Sequence, residues 1–174
     1  MKTLNKNKWI YLLFDILFFI VFVLLDQITK ALAVSHLKDN ASFVIWENVF
    51  ELHYLENRGA AFGMLQNQKL LFVVIAVVML AAIAYVLIKL PRLPHYYALE
   101  ILLVFIASGA VGNMIDRVSL GYVVDFFYFK LIDFPIFNVA DIYVSVSCVL
   151  LAILLLFFYK EQDFAFLKKE GKKE

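Results

Sequence analysis

Eight side chains carry the chemistry this sequence can do: Asp26, Lys30, Asn113, Asp116, Arg117, Asp125, Asn138 and Asp141. Each lies in or beside a long apolar run, where an ionisable group costs several kcal/mol unless it is paired. Four are carboxyls. Two carboxyls held close together cannot both ionise cheaply, so they share a proton. One member of such a pair can take a proton from water while the other gives one to a carbonyl oxygen. The pair titrates as a unit, so neither member is the acid or the base by itself. Asparagine amides and a guanidinium nearby can orient a peptide backbone and stabilise a developing oxyanion. This chemistry calls for no cofactor and no metal.

Other chemistries are poorly served. Cys148 lies among Val146, Val149 and Leu150 and reads as a small packing residue rather than a thiolate. As the only cysteine, it excludes an intrachain disulfide and a multi-cysteine metal site. His36, His53 and His95 form no H-E-x-x-H pattern, and there is no phosphate-binding loop or G-x-S-x-G elbow.

The elements that must position these residues are membrane helices. Of 174 residues, 64% are hydrophobic and 17% aromatic, and the mean hydropathy is +0.84. A soluble domain is about half apolar. Apolar runs predict four spans, at about 9–34, 70–90, 96–117 and 141–159, each near the ~20 residues that cross the hydrocarbon. The first run lacks a small-residue cleavage site and reads as a retained span. Ten of the 16 lysines and arginines lie in the N-terminal tail, the Lys89–His95 connector and the tail from Lys160 onward. These three segments share one side of a four-span chain, which the positive-inside rule makes cytoplasmic. Both termini are then inside. The tail Lys160–Glu174 reads as charged and disordered at its end.

The two longer connectors then lie outside. Within about 40–62, alternation from Val49 through Tyr54 predicts short strands, with Trp46 suited to the headgroup layer. Absence of a linker or repeat makes residues 1–174 one integral membrane domain. Asp26 falls about 26 Å along the first helix from Trp9 at ~1.5 Å per residue, near its outer end, and Lys30 follows one turn later on the same face. Asn113, Asp116 and Arg117 close the third span outside, while Asn138 and Asp141 open the fourth. Any one of these could be an ordinary interfacial residue; their convergence on one layer is what argues for a site. Asp15 lies near the opposite end and reads as interfacial, or as a partner of Lys8 or the connector. A proton-coupled transporter would carry acids near the midplane in two related halves, and a metal-dependent phosphotransferase would space its acids closely on a helix facing the cytoplasm. Neither pattern is present.

Five blocks resemble the prolipoprotein signal peptidase (signal peptidase II) family, over about Leu25–Tyr159. They are Asp26-Gln27-Ile28-Thr29-Lys30, Asn57-Arg58-Gly59-Ala60-Ala61-Phe62-Gly63, Gly112-Asn113-Met114-Ile115-Asp116-Arg117, Val124-Asp125-Phe126 and Phe137-Asn138-Val139-Ala140-Asp141. The resemblance implies that Asp125 and Asp141 are the catalytic pair. It implies that Asn57, Gly59, Asn113, Arg117, Asn138 and Ala140 bind substrate or support the site, with Asp26 and Lys30 supporting it from the first helix. The implied fold is an all-α membrane protein of four transmembrane helices, with a small extracytoplasmic β-cradle between helices 1 and 2 and a mobile outer arm. The implied substrate is a diacylglyceryl-modified prolipoprotein, cut before its lipidated cysteine by a monomer in the bacterial cytoplasmic membrane. Phe62, Phe126 and Phe127 are candidates to flank acyl chains. Beyond the substrate and membrane lipids, no partner and no nucleic acid are implied.

Overall fold

The computed structural model describes residues 4–59 and 68–167. Its helices are α1 (Leu4–Leu37), α2 (Lys69–Lys89), α3 (Tyr97–Ser119) and α4 (Val139–Phe157). All four are long and apolar enough to cross a membrane. The spans predicted from hydropathy are recovered within a few residues at most ends, with α1 longer at both. Strand β1 (Phe43–Trp46), strand β2 (Phe50–Asn57) and strand β3 (Val123–Tyr128) form one antiparallel sheet in the order β1-β2-β3.

Helix α3 is the centre of the bundle and packs against α1, α2 and α4. Small residues make this possible. A Cβ added at Gly109 would collide with the Ala140 carbonyl of α4, and one added at Gly112 with the Asp26 carboxylate of α1. Glycine at these two positions is what lets three helices close around one layer. The other helices turn rows of Leu, Ile, Val and Phe outward, from Leu13, Phe14 and Leu17 on α1 to Val149, Ile153 and Leu156 on α4. A water-soluble protein does not expose apolar surface on this scale; here the surrounding solvent is lipid.

The sheet corrects one expectation. It is not built only from the segment between α1 and α2, because β3 comes from the α3–α4 connector. Val123, Val124, Asp125 and Phe126 are all buried. A strand covered on both faces shows a continuous apolar run without period-2 alternation, so the sequence does not announce it. Phe126 packs with Ala33, Leu37 and Val124 against α1. It therefore serves the core rather than an acyl chain. Phe62 and the Ala60–Gly63 part of the second block lie outside the described residues.

The opposite end of the bundle carries two further findings. Asp15 pairs with Arg92 of the connector at 2.9 Å, and Arg92 also pairs with Glu100. The C-terminal segment is ordered in its first half. Residues Glu161–Leu167 form a 3-10 turn, the Tyr96 hydroxyl donates to the Asp163 carbonyl at 2.8 Å, and Phe164 and Phe166 join the core. Both rings are half-buried there. The expected disordered end, residues 168–174, lies outside the described residues.

Candidate active site

Local structure delivers the two aspartates separately. Asp125 sits on β3 opposite Leu55 of β2. Asp141 is the third residue of α4, whose start is set by a capping box: the Asn138 side chain accepts from the Asp141 amide at 3.0 Å, and the Asp141 carboxylate accepts from the Asn138 amide at 3.1 Å. The chain between them folds back on itself. The Phe126 and Phe127 amides donate to the Phe137 carbonyl, and the Phe137 amide donates to Phe127. That bridge brings the α4 N-terminus beside β3.

Three asparagines then hold the two carboxyls. Asn57 Nδ2 donates to Asp125 Oδ2 at 2.8 Å. Asn138 Nδ2 donates to Asp125 Oδ1 at 2.7 Å. Asn113 Nδ2 donates to Asp141 Oδ1 at 2.8 Å. None of these amides is free to flip, because each oxygen faces a group that can only donate. The Asn57 oxygen accepts from the Gly59 amide at 2.9 Å, the Asn138 oxygen from the Asp141 amide, and the Asn113 oxygen from Lys30 Nζ at 2.9 Å.

Asp125 is 1% exposed. Burial, and then the charge of Asp141, lift its carboxyl from 3.8 to about 7. A carboxyl poised there holds or releases a proton near neutral pH, as acid–base work requires.

Both carboxyls border a groove of about 610 Å³, which Asn57, Gly59, Asn113 and Arg117 also line. Arg117 crosses it. Nη2 donates to the Gly59 carbonyl at 3.2 Å, and the guanidinium lies 4.6 Å over the Phe72 ring of α2. Asn138, Asp26, Lys30 and Ala140 are behind the groove wall, each no more than 3% exposed. Asn138 thus positions the carboxyls instead of lining the groove. Ala140 donates its amide to Asp26 Oδ1 at 3.0 Å, joining α4 to α1.

Two further supports sit in the quoted blocks: Asp116, buried and placed by the sequence at the outer end of the third span without a role of its own, and Gln27, half-buried and not among the candidates. Asp116 accepts from the Val124 amide at 3.0 Å and so fixes β3 beside Asp125. Gln27 Nε2 donates to Asp116 Oδ1 at 3.0 Å. The far wall, Phe134–Phe137 with Tyr128 and Ser145, also went unrecognised. Nothing in a Phe-Pro-Ile-Phe run distinguishes a groove wall from a membrane-facing loop.

A lipid-facing helical bundle that brings two carboxyls, one buried and one half-buried, to the side of one open groove has the parts of a membrane-embedded acid–base hydrolase. Comparison narrows the class. Residues 18–157 match the family described as Signal peptidase (SPase) II. A protein named lipoprotein signal peptidase from Caldanaerobacter subterraneus subsp. tengcongensis is 50% identical over 141 residues, covering 80% of this chain and 92% of the relative. One of the same name from Clostridioides difficile is 43% identical over 143 residues, covering 82% and 95%. A solved structure described as a bacterial membrane enzyme at 2.3 Å has a TM-score of 0.74 at 32% identity, over 91% of this chain and 94% of that one. The chain belongs to the signal peptidase II family, and is an aspartic-type peptidase embedded in a bacterial membrane.

Proposed function

We propose that this chain is an intramembrane aspartyl endopeptidase that removes the signal peptide from diacylglyceryl-modified prolipoproteins, cutting the bond before the lipidated cysteine. The observation that carries the mechanism is the placement of Asp125 and Asp141 on one groove, each gripped by oriented asparagines. The curated relatives named lipoprotein signal peptidase support the substrate class.

The pair begins with one proton. The ionised carboxyl takes a proton from water as the water oxygen attacks the scissile carbonyl carbon. The protonated carboxyl gives its proton to the carbonyl oxygen, forming a neutral gem-diol. Collapse breaks the C–N bond; the proton taken from water passes to the departing amine of the cysteine. The other carboxyl recovers its proton from the diol as the new acid forms. Asn57, Asn113 and Arg117, with the Gly59 backbone, hold the peptide; Asn138, Asp26, Lys30 and Ala140 hold the pair.

Residues 1–174 act as a single multi-pass domain and a monomer in the cytoplasmic membrane, with both termini inside and the groove at the extracytoplasmic surface. The positive charge that the sequence concentrates in the connector and the tails supports this orientation. The lipid anchor would keep the scissile bond at that surface. The test is purified protein with a lipidated precursor peptide and its unlipidated twin. Cleavage before the lipidated cysteine is expected, with little cleavage of the twin. Equal cleavage of both would overturn the need for lipid, and cleavage of neither would overturn the reaction.

A further inference from the structure

We infer that a groove between α1 and α3, at the connector end of the bundle, holds one acyl chain of a membrane phospholipid whose headgroup carries an ammonium, recognised by Asp15 and Glu100. The site shares no residue with the active-site groove. Only the leaflet, the cytoplasmic one, depends on the orientation proposed above.

The shape selects a chain. The groove has a volume of about 390 Å³ and is lined by Tyr11, Phe14 and Phe18 of α1 and by Tyr97, Ile101 and Phe105 of α3. That is within the size range of small-molecule sites. Phe14, Phe18 and Ile101 are each more than half exposed, so the groove opens toward the hydrocarbon. Its inner end is closed where the Phe22 ring meets Phe105 at 4.3 Å and Tyr143 at 5.5 Å between centroids. From Tyr11 to Phe22 the groove follows α1 for about 16 Å at ~1.5 Å per residue. This is about half of the ~30 Å hydrocarbon core. A transmembrane helix of a partner would run the full thickness and collide with the closed end. A chain from one leaflet stops there.

The polar end selects the headgroup. Arg92 comes from the connector, which places the cluster toward the membrane surface. Its Nη2 pairs with Asp15 at 2.9 Å and its Nη1 with Glu100. Two carboxylates against one guanidinium leave one negative charge over. Asp15 and Glu100 are each 8% exposed, and both line the groove. Glu100 Oε2 is buried and meets no donor among the described residues. An acceptor left open where water does not reach is costly. An ammonium supplies both the missing donor and the missing charge. Arg92 Nε is also buried and meets no acceptor among the described residues, and the phosphate next to an ethanolamine ammonium is an acceptor. A phosphatidylethanolamine head therefore answers both open groups. A phosphatidylglycerol head brings an anion and no cation to a site that already has a surplus negative charge.

The test is native mass spectrometry of the purified protein in detergent, with dioleoylphosphatidylethanolamine or dioleoylphosphatidylglycerol added at equal ratio. Wild type should retain one phosphatidylethanolamine and bind it about tenfold more tightly than phosphatidylglycerol, the worth of one charge-assisted hydrogen bond. Ile101→Trp fills the groove from its lipid-facing side and should lose the retained lipid of either kind. Asp15→Asn keeps the side-chain shape and leaves Arg92 balanced by Glu100, so the two lipids should bind within about twofold of each other. Thermal unfolding checks that each variant is folded, and the wild-type comparison needs no variant. Equal binding of both lipids by wild type would overturn the headgroup assignment, because a proton shared by Asp15 and Glu100 would then be what answers the surplus charge. Unchanged lipid retention by Ile101→Trp would overturn the groove as the site. A wild-type dimer that Ile101→Trp dissolves would make a second copy the occupant and overturn the lipid.

Discussion

Replacing Asp125 by Asn should do more than stop cleavage: it should change how stability responds to pH. Asp125 is lifted from 3.8 to about 7, first by burial and then by the charge of Asp141. The folded protein therefore keeps this proton over a range where the unfolded chain has lost it. Stability contributed by the group is fully present below about pH 4 and is lost as pH rises through about 7. At about 1.36 kcal/mol per pKa unit the full loss is about 4 kcal/mol, of which about 3 falls between pH 5 and pH 8. Asparagine does not titrate, so the variant should lack this slope. It carries a separate cost. Asp125 accepts from Asn57 on one oxygen and from Asn138 on the other. An asparagine must turn its own NH2 toward one of those donors, leaving it unpaired for about 1–3 kcal/mol at every pH. The variant should thus be less stable than wild type at pH 5, with the two curves converging or crossing by pH 8. In a chain of this size, about 3 kcal/mol appears as roughly 6–12 °C of relative Tm. Thermal unfolding of both proteins in the same detergent at each pH measures it. Parallel curves would refute the claim that a buried, proton-sharing Asp125 is the titrating group, whatever happened to activity.

Other outcomes follow from the same contacts. Asn138→Ala removes the α4 cap and a donor to Asp125 together; a stability loss of about 2 kcal/mol with abolished cleavage is expected, read by unfolding and by precursor processing. Gly112→Ala places a methyl against Asp26 and 3.4 Å from the Ala140 Cβ, so about 1–3 kcal/mol of overpacking should accompany lost cleavage. Gly121→Ala, at φ 87° with no atom near its Cβ, is the comparison; it should cost about 1–2 kcal/mol of backbone strain and leave cleavage intact. Reporter fusions should place Arg92 in the cytoplasm and Ile45 outside, and the reverse result would invert the proposed orientation.

How much of this was legible depends on which force positions each residue. Hydropathy finds the four helices because lipid exposure acts over some twenty residues at once. It also separates Asp15 from the site, since that residue lies toward the other end of α1, where it meets Arg92. The convergence of Asp26, Lys30, Asn113 and Arg117 is readable from helical spacing and depth. The local environment of Asp125 is not. Its strand pairs with residues some 70 positions earlier, and because both faces are covered it shows no alternation. Asn138 and Asp141 did carry a local sign, a cap residue followed three positions later by an acid. That sign puts the start of α4 at Val139, two residues before the hydropathy edge. Ala140 looks like filler in sequence; only the meeting of α1, α3 and α4 shows that its amide holds Asp26.

The buried charge also explains why so many ionisable groups are tolerated together. Four carboxyls, at Asp26, Asp116, Asp125 and Asp141, face two cations, Lys30 and Arg117. Lys30 lies between Asp26 and Asp116 at 2.9 and 3.0 Å, so its charge is largely committed behind the groove wall. Arg117 borders the groove itself. If Asp125 and Asp141 were both ionised, two negative charges would remain uncompensated in a low-dielectric layer, a penalty of several kcal/mol. A proton shared within the pair leaves one. The asymmetry is the functional point. A pair balanced by two further cations would ionise fully and could not donate a proton, whereas a pair with no cation near would hold both protons and could not accept one. One committed lysine behind and one arginine at the side leave the pair between those limits, which is the balance the proposed hydrolysis by two carboxyls needs.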